Sequence, residues 1–150
     1  MFLHRGPSAC IINSVARFSN DKIFMLNLIL LSLAVLMAVA ILVIGGFYLF
    51  SPERMTGSFG LKLPAADADT RAWLRLKGVR DIASGLVVLT LMLTTGSRSV
   101  GIALLVLAIT PFGDMSVVLR SGGSKSAAFS IHGVTCVAML VVGLLLIHAL

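Results

Sequence analysis

From Ile23 to Phe50 the chain carries no charged residue, and its 28 positions are apolar or glycine except for Asn27 and Ser32. A helix crosses the hydrocarbon core with about 20 such residues, so the pattern predicts a first transmembrane helix over 23–50. The run is too long for the apolar part of a cleaved signal. Pro52, which has no amide hydrogen, marks its end. Three more apolar runs follow, at about 79–95, 100–119 and 127–150. Their polar connections, 96–99 and 120–125, are short, which places neighbouring helices antiparallel and side by side. The expected fold is therefore all-α: a four-helix transmembrane bundle forming one domain over 23–150.

The longer link, residues 51–72, carries its own signals. Ser51, Pro52 and Glu53 read as cap, first position and first-turn acid of a short helix. Met55 and Phe59 lie one turn apart, as on a helix resting along the interface. Gly57, Gly60 and Pro64 break it up, Asp67 or Asp69 can cap the next helix, and Trp73 stands where an interfacial aromatic belongs.

Composition agrees with the pattern. Apolar residues are 58% of the chain and charged residues 12%, a balance that a water-exposed surface could not accommodate. The net charge of +6 is spread over loops and helix ends, with no aromatic and basic platform for nucleic acid. It suits anionic lipid headgroups instead. Residues 1–22 read as a polar leader or disordered tail. Their basic, acid-poor composition resembles a transit segment, and a start at Met25 is the alternative. Cys10 and Cys136 form no C-x-x-C pair, so no thiol relay, metal site or cofactor is expected. The chain is expected to be a multi-pass integral membrane protein, of the cell membrane in a bacterium or an organelle membrane in a eukaryote. Lys and Arg are commoner in the 51–72 and 120–125 loops, which places both on the cytoplasmic side.

Charges inside the apolar runs change the picture more. Lys77, Arg80 and Asp81 open the second span, Asp114 lies in the third and His132 in the fourth. Counted at 1.5 Å per residue from the same side of the membrane, Arg80, Asp114 and His132 sit roughly 10, 9 and 10 Å deep. Three helices thus place an ionisable residue in one layer. At 100° per residue Lys77, Arg80, Asp81, Ser84 and Thr95 share a face, opposite Val79, Ile82, Leu86 and Leu93. An unpaired charge at a helix centre costs roughly 2.5–3.5 kcal/mol, so a bidentate Arg80–Asp114 pair with His132 beside it is expected. Lys77–Asp81 is a second, shallower i,i+4 pair. Gly78, Gly85, Gly113 and Gly133 would let backbones approach there. Pro111 frees a carbonyl near Leu107.

These residues also carry a resemblance. Phe50-Ser51-Pro52-Glu53, Phe59-Gly60-Leu61, Leu76-Lys77-Gly78-Val79-Arg80-Asp81 with Gly85, Pro111-Phe112-Gly113-Asp114 and Ile131-His132-Gly133 follow the pattern of the domain-of-unknown-function 4267 family. The resemblance covers roughly 28–150 and implies a small four-span integral membrane protein with no established activity. More distantly the chain is similar to the DoxX-like membrane proteins, some of which work beside respiratory or thiol-redox partners; it has no cysteine pair of that kind.

Three functions are compatible with the layer of Lys77, Arg80, Asp81, Asp114 and His132. It can bind a small membrane-soluble or anionic ligand, including a lipid headgroup. It can be a polar network that fixes helix packing in a structural subunit, one that binds a membrane-protein partner or a second copy of itself. Or it can be an acid–base enzyme in which Asp114 orients His132 and Arg80 stabilises negative charge.

Overall fold

The computed structural model of the chain describes residues 7–62 and 67–148. Pro64, His4, Arg5 and the last two positions of the fourth expected span lie outside them. Among the described residues there is helix and turn but no strand, so the fold is an all-α helical bundle.

Helix α1 runs from Pro7 to Phe50, 44 residues. It starts inside the stretch expected as a leader or tail, and no glycine or proline interrupts it between Ser8 and Ile44. At 1.5 Å per residue it is roughly 66 Å long, about twice the ~30 Å hydrocarbon core. Helix α2 (Pro52–Met55) continues into a tight turn of 3₁₀ type, Thr56–Phe59. Ser51 does not cap it through its side chain. Its amide instead donates to Phe47 O at 2.8 Å and closes α1. The turn ends at Gly60, whose φ of 94° suits a residue without a Cβ.

Helix α3 (Ala68–Thr94) begins eleven residues ahead of the apolar run expected from about 79, at one of the two caps expected for it. Asp67 is its cap, accepting the Thr70 amide at 2.7 Å, and Trp73 is 71% exposed one turn and a half into the helix. That amide holds the Asp67 carboxyl below its ordinary value of 3.8. The cap therefore stabilises α3 fully above pH 3.8 and loses its effect as pH falls through the lower folded value. The difference in melting temperature between wild type and Asp67→Ala should be widest at neutral pH and narrow in acid. A difference unchanged with pH would contradict an ionic cap.

Helices α4 (Ser97–Leu107) and α5 (Ile109–Arg120) form one rod with an irregularity at Ala108. Pro111 cannot donate to the Leu107 carbonyl, which accounts for the break. Helix α6 (Lys125–Ala127) opens the last rod, passes through a widened turn of π type at Ala128–Gly133, and continues as α7 (Val134–His148). Among the described residues three rods are long and apolar enough to cross a membrane: Ser19–Phe50, Ser97–Arg120 and Lys125–His148. Side chains such as Leu36, Val43, Val106 and Val137 point outwards from them, the surface a lipid phase stabilises. The chain is a membrane protein by this measure.

The rods pack as two tight pairs, α1 with α3 and α4 with α7. Small residues make each pair tight. A Cβ on Gly78 would stand 2.6 Å from Gly45 O, and one on Gly85 would stand 2.8 Å from Ala38 O. Ala38 meets Gly85 and Gly45 meets Gly78, seven residues apart on both helices, so α1 and α3 run antiparallel with backbones in contact. Gly101 and Gly143 play the same part between α4 and α7. Gly113 has open space around it, and a Cβ on Gly133 would come no closer than 3.3 Å to any atom, the Met115 sulfur.

At the end away from the long loop, the two pairs close on a core of Leu30, Ala34, Ala38, Val88, Val100, Leu104, Val142 and Leu146. Towards the loop side they separate. There the first loop docks on the second, with the Ser124 amide donating to Gly60 O at 2.7 Å. This contact sets Phe59 above the gap.

Candidate functional site

The glycine contacts fix the rotation of α3. With Gly78 and Gly85 against α1, Lys77, Asp81, Ser84 and Val88 turn into the gap between the helix pairs, and Arg80, 60° further round, falls on the exposed side. The expected Arg80–Asp114 pair is therefore not formed. Lys77 takes that place: its Nζ lies 2.8 Å from Asp81 Oδ2 and 4.0 Å from Asp114 Oδ2. It also stands over the rings of Tyr48, at 5.0 Å, and Phe59, at 5.4 Å, a cation–π seat. Asp81 is only 5% exposed and depends on that ammonium.

His132 lies in the π turn of the last rod, a distortion that often accompanies functional positions. Its Nε2 is 3.2 Å from the Phe59 carbonyl oxygen, which can only accept, so Nε2 carries the hydrogen. Nδ1 faces Asp114 Oδ2 at 3.9 Å. The Phe59 ring meets the imidazole edge-on, with centroids 4.7 Å apart. The structure thus brings Lys77, Asp81, Asp114 and His132 together and leaves Arg80 outside. Cys136, one turn along the rod from His132, is buried and turns its thiol to Ala108 O at 3.6 Å. Among the described residues no three His, Cys, Asp or Glu side chains converge as a metal site.

Tyr48 was not legible as part of the site. Its hydroxyl donates to Met55 O at 3.4 Å, and its ring forms one wall of the Lys77 seat. It is the only tyrosine in the chain, four residues before the helix-ending Pro52, which puts it near the depth of Lys77 on the same side of the membrane. That count is the signal that could have found it.

Below the cluster lies a cavity of about 450 Å³. On α1 it extends from Tyr48 to Met37 and on α3 from Lys77 to Val88, eleven residues in each case, or roughly 16 Å. Such a volume over such a length describes a slot rather than a round chamber. The charged groups all stand at its loop-side end, with Phe59 and Met55 above them. Its far end is Met37, Val88, Leu104 and Met139. Ala40, Ile44, Ile131 and Thr135 line it and are also exposed, so the slot opens sideways between α1 and the last rod.

Comparison with known protein families assigns most of the chain. The family model described as "Domain of unknown function (DUF4267)" matches residues 38–146, a range that holds every residue of the cluster. No curated protein and no solved structure matches the chain. The more distant likeness to DoxX-like proteins finds no support in these comparisons.

Proposed function

The chain belongs to the DUF4267 family, and from the geometry of its cluster we propose that it binds a small amphiphilic molecule inside the bilayer. The head of the molecule rests on Lys77, Asp81, Asp114 and His132, and its apolar part fills the slot towards Met37 and Met139. On this proposal α3 is the fourth span, with its charges turned inward or towards the headgroups. The observation that carries it is the form of the cavity: one polar end, one apolar end, and a side opening at the depth of lipid chains. An anionic head is disfavoured, because Arg80 is outside and Lys77 is already flanked by two carboxylates.

The test is the lipid-phase content of the purified protein. Extraction and mass spectrometry should find a molecule that accompanies the wild type in near-stoichiometric amount and is lost from Asp114→Asn at unchanged melting temperature. A wild type that carries nothing specific, with Asp114→Asn markedly less stable, favours the alternative of a structural or partner-binding subunit. The bonds of His132 to Phe59 O and of Lys77 to Asp81 are what that alternative stands on. Chemical conversion of the bound molecule, lost with His132→Ala, would make the site an acid–base enzyme.

A further inference from the structure

Resting on the proposal of a bound amphiphile, we infer that its head must donate a hydrogen bond: it is an alcohol, a phenol or an amine, and not a ketone or a permanent anion. The polar end offers donors and acceptors unequally. The donors of the charged cluster, on His132, Tyr48 and Lys77, are each turned to a protein partner. His132 Nε2–H faces Phe59 O at 3.2 Å. The Tyr48 hydroxyl faces Met55 O at 3.4 Å. The Lys77 ammonium holds Asp81 at 2.8 Å and lies over two aromatic rings.

What remains open is acceptor. Asp114 lines the slot, and its Oδ2 stands 3.9 Å from His132 Nδ1 and 4.0 Å from Lys77 Nζ, both beyond hydrogen-bond reach. The Asp114 carboxylate therefore accepts from neither neighbour. A hydroxyl or amine placed in that gap donates to Asp114. A ketone carbonyl would set a second acceptor against it. A sulfonate would add a third negative charge beside Asp81 and Asp114, where the low dielectric magnifies repulsion.

The experiment uses the purified full chain in phosphatidylcholine vesicles. Four dodecyl probes carry a photoreactive diazirine near the chain end and differ in the head: alcohol, amine, methyl ketone and sulfonate. Labelled peptides are identified by mass spectrometry. The alcohol and amine should label the Met37 and Met139 peptides at least about tenfold more than the ketone and sulfonate, the discrimination expected of one charge-assisted hydrogen bond. Asp114→Asn, whose amide also donates, should raise ketone labelling to the level of the alcohol. Equal labelling by all four heads, or preference for the sulfonate, overturns the inference while leaving the site itself standing. Labelling by none of them at these peptides overturns the site as well.

Discussion

Gly45→Ala should lower the melting temperature of the protein in detergent by roughly 5–10 °C, while Gly46→Ala, one position along, should leave it unchanged or raise it slightly. The difference is steric. A Cβ at Gly45 would stand 2.8 Å from Gly78 O and 2.9 Å from Ile82 N, whereas one at Gly46 meets nothing within 4 Å. Backbone atoms cannot rotate out of the way, so the whole of α3 must move, and overpacking of this kind costs about 1–3 kcal/mol. At Gly46 only the better helix propensity of alanine remains, up to about 1 kcal/mol in its favour. Differential scanning fluorimetry of the two variants decides the matter. Equal melting temperatures would mean that α1 and α3 are not in backbone contact, and the rotation of α3 that turns Lys77 inward would lose its cause.

The second large effect separates two basic residues three positions apart. Lys77→Met should destabilise the protein by about 3 kcal/mol, because it leaves Asp81 buried without its ammonium, and breaking a buried pair costs ~3–5 kcal/mol. Arg80→Ala should change stability by no more than about 0.5 kcal/mol, the usual range for a surface substitution. Combining Lys77→Met with Asp81→Leu should recover most of the loss, since the stranded charge is then removed. Unfolding followed by tryptophan fluorescence in rising denaturant measures all three; Trp73 is the only tryptophan in the chain. A large loss from Arg80→Ala with little from Lys77→Met would reverse the roles assigned to the two side chains.

Much of the fold is written in hydropathy alone. Long uncharged runs and short polar links give helical rods in antiparallel order, and a count of residues from the loops sets Arg80, Asp114 and His132 at one depth. Counting does not choose between Lys77 and Arg80. They are 60° apart around α3, and which of them faces the interior is decided by the register of Gly45 against Gly78, a contact between residues more than thirty positions apart. The π turn around His132 has no sequence signature either. It arises where the last rod accommodates Phe59 and Gly60 of a distant loop. The early start of α1 had a visible cause in its lack of glycine and proline, but polar composition in the first 22 residues outweighed it. A cavity is a property of what fails to fill space, so no pattern of apolar positions announces it.

The most direct test of a ligand slot between the helix pairs is to fill it. Met139→Trp places bulk at the apolar end of the slot without touching Lys77, Asp81, Asp114 or His132. Native mass spectrometry of the wild type should show a discrete mass adduct of one small amphiphile. In Met139→Trp, at a melting temperature close to that of the wild type, the adduct should be absent. An adduct that persists in the filled variant, or a wild type that flies with no adduct under the mildest detergent release, would contradict the account.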